Sequence, residues 1–117
     1  MERQSLADLA AKLRTFASER DWDQFHSPKN LVMALSVEVS ELMEHFQWLT
    51  EEQSSALPPE KLQQVREEIG DVLIYLTRLA DKLGVDMLEA AAEKLEVNRA
   101  KYPVEKVRGS AKKYTEL

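Results

Sequence analysis

Residues 60–84 read EKLQQVREEIGDVLIYLTRLADKLG, and their apolar positions follow the spacing of an α-helix. The members of this inward-facing stripe are Leu62, Val65, Ile69, Val72, Leu73, Leu76 and Leu83. Two prolines precede the stretch, and Gly84 follows it at a position where glycine commonly ends a helix. The sequence therefore predicts a helix from about Glu60 to Leu83.

Three other segments show helical patterning, so the sequence predicts an all-α protein. The second helix begins at Ser27-Pro28, which has the pattern of an N-cap followed by proline in the first turn. Asp86 with Glu89 matches a capping pattern at the start of the fourth helix. The predicted helices span about residues 5–19, 27–49, 60–83 and 86–102. We expect residues 50–59 to form a polar loop, and the charged residues 104–117 to form a loose tail or to wrap a neighbour.

Two short acidic repeats are the most informative motif in the chain, Glu38-Val-Ser-Glu41 and Glu68-Ile-Gly-Asp71. Residues three apart on a helix lie about 60° apart on the same side, so each pair can direct two carboxylates at one point. If the two helices pack together, four hard oxygen ligands converge, which predicts a site for Mg²⁺, with Mn²⁺ as an alternative. The other interpretation is that both pairs are solvated surface carboxylates.

Composition excludes several classes of protein. The chain has 117 residues, a net charge of −5 and no cysteine, which fits one domain without disulfides or a zinc–thiolate site. The acidic balance disfavours binding to a nucleic-acid polymer, and no apolar stretch is long enough to span a membrane. We therefore expect a cytoplasmic protein. The chain also lacks a Glu-x-x-His motif and a glycine-rich phosphate loop.

Several other residues have both a structural and a functional interpretation. Trp22 and Trp48 lie at or beyond helix ends, where an aromatic ring either closes the core or stacks on a base. Asn98 falls on the apolar stripe of the fourth helix, where it either bonds another helix or contacts a substrate, and the adjacent Lys101 could meet a phosphate. A lone histidine beside a proline turn, such as His26, is typically structural.

Nearly the whole chain, from Leu6 to Pro103, resembles the MazG-like nucleotide pyrophosphohydrolases, most closely their small dCTP pyrophosphatase branch. The resemblance rests on two blocks, DWDQFHSPKNLVMALSVEVSELMEHFQWL at 21–49 and EEIGDVLIYLTRLADKLGVDMLEAAAEKLEVNRAKYP at 67–103. The signature is ExxE followed by ExxD, together with FHxPxNL, FQW, DVLIYL and KYP. It implies an all-α fold of the four-helix-bundle type, assembled as a dimer or a dimer of dimers, with the family domain at 1–103.

The resemblance also implies roles for individual residues. The metal ligands would be Glu38, Glu41, Glu68 and Asp71. The expected substrate-binding residues are Trp22, His26, Trp48, Tyr75, Asn98, Lys101 and Tyr102. The segment from Trp22 to His26 would cover the site of a neighbouring subunit.

The implied reaction is Mg²⁺-dependent cleavage of a nucleoside triphosphate, dCTP or a related deoxynucleotide, to the monophosphate and pyrophosphate, as in the cleansing of nucleotide pools. Glu38 and Glu41 are the catalytic candidates, with Glu41 as the general base and Asp71 as the alternative. Leu13 departs from the histidine of the eukaryotic branch, so the range could extend beyond cytosine. The alternatives are a dUTP or phosphoribosyl-ATP pyrophosphohydrolase and a non-catalytic helical interaction module.

Overall fold

The computed structural model describes residues 4–116, and every regular element in that range is helical. The elements are α1 (Leu6–Glu19), a 3-10 turn (Asp23–Phe25), α2 (Pro28–Glu44), α3 (Glu51–Ser54), α4 (Pro59–Leu83), α5 (Met87–Lys101), α6 (Val104–Val107) and a second 3-10 turn (Tyr114–Glu116). The prediction of an all-α protein is confirmed. The four predicted helices correspond to α1, α2, α4 and α5, whereas their arrangement as a four-helix bundle stays a prediction.

The helix boundaries follow from local capping. The Ser5 hydroxyl accepts a hydrogen bond from the backbone N–H of Asp8 at 3.1 Å at the start of α1. The Asp86 carboxylate accepts one from the N–H of Glu89 at 2.9 Å at the start of α5. Gly84 ends α4 in the left-handed region at φ 67°, where a side chain would be strained. These three boundaries agree with the sequence prediction.

The predicted end of the second helix at about Leu49 is wrong, because α2 ends at Glu44. The backbone then tightens into turns in which the Phe46 N–H donates to the Met43 carbonyl and the Leu49 N–H donates to the Phe46 carbonyl, both at 2.9 Å. Such turns keep apolar residues three or four apart, so the helical pattern continues where the α-helix does not.

Two segments expected to lack helix contain short helices. Residues 50–59, predicted as a polar loop, include α3, which Thr50 and Gln53 stabilise with a reciprocal capping box. The charged segment after Pro103 includes α6 and the second 3-10 turn; its last residue lies outside the described range.

The chain divides after Gly84 into two compact units. In the first unit α4 is the central element, with α2 packed along it and α1 packed on it more lightly. Among the described residues, the buried apolar side chains are few, namely Ala17, Leu31, Val65 and Ala80. Thr77 and Arg78 of α4 are buried with them. The second unit contains α5 and α6, whose described side chains are half-buried or exposed.

Within residues 4–116, no helix combines the length and the apolar character that a membrane crossing requires.

Candidate functional site

Three of the four predicted ligands form one carboxylate cluster. Glu38 and Glu41 lie one turn apart on α2, and Glu68 lies on α4, so the packing of α2 along α4 brings them together. One oxygen from each carboxylate lies within 4.8 Å of those of the other two. All three side chains are half-buried, as the helical-wheel position of these residues predicts.

The cluster is electrostatically unfavourable without a cation. Burial is the largest cause that raises the pKa of Glu38 from 4.5 to about 7; hydrogen bonds that the protonated Glu38 donates to Glu68 and Glu41, and the charges of Glu41 and Asp71, contribute to the same total rise. The Oε2 atoms of Glu38 and Glu68 are shielded from solvent and have no hydrogen-bond partner among the described residues. Buried carboxylate oxygens that lack a donor normally carry a large cost.

Asp71, the fourth predicted ligand, lies at the edge of this cluster. Its side chain is exposed, and its oxygens are not within the 4.8 Å group that Glu38, Glu41 and Glu68 form. It is still near enough for its charge to raise the pKa of Glu38. Its role as a ligand stays a prediction.

The donor set fits a hard divalent cation. Carboxylate oxygens are the ligands that Mg²⁺ and Mn²⁺ prefer, and the two unpartnered oxygens of Glu38 and Glu68 are available for coordination. A cation would offset the burial of charge and the repulsion between carboxylates, both of which raise the pKa of Glu38. The residues therefore fit such an ion, and they do not by themselves select between the two metals.

A second feature of the first unit is a cavity of about 220 Å³ beside α1 and α4. Its walls are formed by Leu13, Phe16, Ala17, Trp22, His26, Ile74, Tyr75 and Arg78. The structure thus brings together three residues predicted to bind the substrate, Trp22, His26 and Tyr75, with Leu13.

The aromatic wall of the cavity is held by packing between α1 and the following turn. The Trp22 ring meets the Phe16 ring edge-to-face, with centroids 5.7 Å apart and planes inclined at 70°. The Arg20 guanidinium lies 3.7 Å from the centroid of Phe16. These contacts hold the Trp22 and Phe16 rings in the apolar wall of the cavity.

The remaining predicted substrate-binding residues are not part of this cavity wall. Trp48 lies in the turns after α2 with its side chain 87% exposed. Asn98 and Lys101 lie in the last turn of α5, and Tyr102 caps it, in the second unit. All three are half-buried, and their place in the site stays a prediction.

Arg78 is the cavity residue that sequence reasoning missed. It is only 5% exposed and bonds Asp23 and His26, which are more than 50 residues distant in sequence. The available signal was its register on α4, three residues after Tyr75 and seven after Asp71, among apolar neighbours. A charged residue at that spacing marks a continuation of the polar face that carries the carboxylates.

Comparisons with known proteins show which family this chain resembles. The sequence profile described as the MazG-like family matches residues 33–117. The chain is 49% identical over 115 residues to mouse (Mus musculus) dCTP pyrophosphatase 1 and 44% identical to its human (Homo sapiens) counterpart, with 97% of this chain and 68% of each relative aligned.

A solved structure shares the fold. The crystal structure of a pyrophosphatase from Archaeoglobus fulgidus DSM 4304 superposes with a TM-score of 0.80 and 38% sequence identity. The match covers 88% of this chain and 96% of the archaeal one. The arrangement of helices that forms the carboxylate cluster is therefore set within a known fold.

Proposed function

The chain belongs to the MazG-like family, and from this membership we propose that it hydrolyses a deoxynucleoside triphosphate, dCTP or a close relative of it, to the monophosphate and pyrophosphate. The activity in the names of the mammalian and archaeal relatives supports this proposal. Removal of unwanted deoxynucleotides from the pool is the corresponding cellular role.

One observation carries the proposal, namely the cluster of Glu38, Glu41 and Glu68. Three carboxylates this close destabilise the folded protein, and the raised pKa of Glu38 reflects that cost. Their presence despite the cost indicates a functional site. A solvated surface pair would not have oxygens shielded from water. The observation favours a catalytic site over the interaction module that the sequence left open.

Glu38, Glu41 and Glu68, with Asp71 from the edge of the cluster, would hold Mg²⁺ or Mn²⁺. When bound, such an ion supplies charge neutralisation for the triphosphate and for the departing pyrophosphate. By holding the ion, these side chains would determine where the substrate's phosphates bind. Charge placement of this kind is commonly the largest contribution to phosphoryl-transfer rates.

The general base is proposed to be Glu41, with Asp71 as the alternative. Attack at the α-phosphorus requires a group that accepts the proton of the water, and Glu41 lies in the cluster at the edge of the apolar stripe. A Glu41→Gln protein that turns over near the wild-type rate would transfer the role to Asp71. Reaction in ¹⁸O-labelled water should place the label in the monophosphate, whereas label in the pyrophosphate would indicate attack at the β-phosphorus.

The base of the nucleotide is proposed to occupy the cavity lined by Trp22, His26 and Tyr75. About 220 Å³ is small for a ligand pocket, so it suits one ring system rather than a whole nucleotide. Leu13 adds an apolar wall where the eukaryotic branch has a histidine. We therefore propose a range that includes other deoxynucleotides besides dCTP.

An assembly of two or four chains would complete the site. Large apolar side chains of α2 and α4 are about half exposed in the single chain; they include Met33, Val37, Met43, Leu62 and Ile69. Exposed apolar patches of this kind are typical of subunit interfaces. In the assembly, Trp48 and the residues Asn98, Lys101 and Tyr102 would join the substrate site, and residues 1–103 would form the family domain. A monomeric mass by light scattering would contradict the assembly.

Pyrophosphate release tests the proposed substrate. The panel contains dCTP, 5-methyl-dCTP, dATP, dUTP, dTTP, dGTP and the ribonucleotides, each with Mg²⁺. Release of pyrophosphate mainly from dCTP supports the proposal. Release from nucleotides with several different bases would indicate a broad substrate specificity, for which Leu13 is the proposed cause. A preference for dUTP would support a dUTP pyrophosphohydrolase. No release from any nucleotide would favour a non-catalytic interaction module.

A further inference from the structure

Arg78 is a buried cation with every polar group of its side chain directed at a named partner. One terminal nitrogen lies 2.5 Å from the Asp23 carboxylate, and the other lies 3.7 Å from Asp81. The Nε–H donates to Nδ1 of His26 at 3.2 Å. The planar guanidinium thus joins α4 to the turn that carries His26, in a geometry that a lysine cannot reproduce.

The partners of Arg78 are themselves held in place. Lys82 lies 2.6 Å from the same Asp23 oxygen, and Arg14 of α1 lies 2.6 Å from Asp81. Asp21, at the start of the segment between α1 and α2, adopts φ 55°. Its side chain and its carbonyl oxygen both accept hydrogen bonds from the Gln24 amide, which holds this turn in place. The network ties the segment between α1 and α2 to α4 through Asp23 and His26.

The bond from Arg78 determines the tautomer of His26. Because Nδ1 accepts the Arg78 proton, a neutral His26 ring must carry its own proton on Nε2. Burial, followed by the charge of Arg78, lowers the pKa of His26 against the weaker opposing effect of Asp23. The neutral form with a proton on Nε2 is therefore favoured near pH 7. Nε2 forms no hydrogen bond with another residue in the part of the chain that the structure describes.

We propose that Arg78 is a positioning residue that fixes His26 as an Nε2–H donor, and that His26 uses this donor to recognise the carbonyl oxygen of a pyrimidine base in the cavity beside Trp22 and Tyr75. This inference deepens the proposed function and rests on it. Arg78 acts through His26, and His26 is the residue that determines specificity.

The surroundings favour a base carbonyl over a phosphate oxygen. Most of the cavity wall is apolar, and the charge of Arg78 is already balanced by Asp23 and Asp81. A neutral imidazole in that setting gives little compensation for the dehydration of a phosphate. A carbonyl that accepts one hydrogen bond while its ring lies against Trp22 satisfies both the donor and the apolar wall.

The tautomer can be measured on the metal-free wild-type protein by ¹⁵N NMR of labelled histidine. The chain has two histidines, so a His45→Gln protein assigns the signals of His26 without loss of the residues in the site. We expect a neutral ring at pH 7 with an unprotonated Nδ1 and a protonated Nε2. Arg78→Lys keeps the charge but cannot bond Asp23 and His26 together, so the two tautomers should mix. A proton on Nδ1 in the wild type, or an unchanged spectrum in Arg78→Lys, would overturn the positioning role.

Kinetics test the recognition. His26→Phe keeps a planar ring but removes the donor, and should lower kcat/KM for dCTP by about 10–100-fold, mainly through KM, because one hydrogen bond to the substrate is lost. His26→Gln can place an amide N–H near the Nε2 position and should recover part of the loss. Arg78→Lys should raise KM more than it lowers kcat. A fall in kcat with an unchanged KM would contradict the positioning role of Arg78.

A carbonyl-free substrate separates recognition from a structural effect. The probe is the triphosphate of the 2-aminopyridine C-nucleoside, which keeps the ring nitrogen and amine of cytosine but lacks the carbonyl. Wild type and His26→Phe should turn it over at similar rates, whereas an equal loss on both substrates would overturn the recognition. If wild type released pyrophosphate from no nucleotide, the proposed function and the recognition would both fail, while the NMR result would still decide the role of Arg78.

Discussion

The replacement of Glu38 by Gln should stabilise the protein in the presence of a chelator. The rise in the pKa of Glu38 from 4.5 to about 7 corresponds to an upper value of about 3 kcal/mol, since one pKa unit equals about 1.4 kcal/mol. Because the side chain is only half-buried, solvent screening reduces the expected gain to about 1–2 kcal/mol. Glutamine keeps the shape, removes the charge and offers an amide donor to Glu41 or Glu68.

The gain should depend on pH in a defined direction. Glu38 has a higher pKa in the folded chain than in the unfolded chain, so the folded state is the one that binds more protons between pH 4.5 and about 7. Wild-type stability is therefore lost as the pH rises through that range. The difference between Glu38→Gln and wild type should be near zero below pH 4.5 and reach its full value above pH 7.

Equilibrium denaturation in EDTA at several pH values measures this difference at a fixed protein concentration. Glu44→Gln is the matched control, because Glu44 lies on the same helix with its side chain exposed and outside the cluster. In saturating Mg²⁺ the order should reverse, since a cation at 100 times its Kd stabilises the wild type by about 2.7 kcal/mol. A Glu38→Gln protein less stable than wild type in EDTA at pH 7.5, or indistinguishable from Glu44→Gln, would refute the reasoning.

Three further results are expected. Hydrogen bonds from Lys82 and then Arg78 lower the pKa of Asp23 below its ordinary 3.8, so Asp23→Asn should be less stable than wild type at pH 7. This difference in stability should disappear as the pH falls through the pKa of Asp23 in the folded state. The unfolding free energy measured as a function of acid pH checks this, and a difference that stays constant would contradict it. Gly84→Ala should lower the free energy of unfolding by about 1 kcal/mol because φ is 67°, whereas Gly70→Ala, inside α4 with open space around it, should raise it by about 0.5–1 kcal/mol. Thermal denaturation checks both, and a stabilised Gly84→Ala together with a destabilised Gly70→Ala would contradict both assignments. Met33→Glu, at a side chain 57% exposed on α2, should lower the mass found by light scattering without loss of helix in circular dichroism, and an unchanged mass would remove Met33 from the interface.

Local rules made most of the helices predictable. Caps such as Ser5 with Asp8 and the glycine at 84 act within one turn, so the sequence contains their whole cause. The end of α2 at Glu44 and the presence of α3 depend on small differences between helical and turn hydrogen bonding that apolar spacing does not register.

The carboxylate cluster was predictable for a related reason. Glu38 and Glu41 share a helix face by spacing alone, and the apolar stripes beside Glu38 and Glu68 indicated that α2 and α4 would pack there. The partners of Arg78 were not predictable, because they depend on how the 3-10 turn at 23–25 folds back onto α4. Periodicity likewise gave no indication that Trp48 would be almost fully exposed in the single chain.

The most direct test of the central claim compares Glu38→Ala and Glu44→Ala in the release of pyrophosphate from dCTP with Mg²⁺. Both changes remove one carboxylate from the last three turns of α2, but only the first removes a member of the cluster. The account predicts that Glu38→Ala loses activity by orders of magnitude while Glu44→Ala stays near wild type. Comparable activity in the two proteins would contradict the assignment of the cluster as the catalytic site.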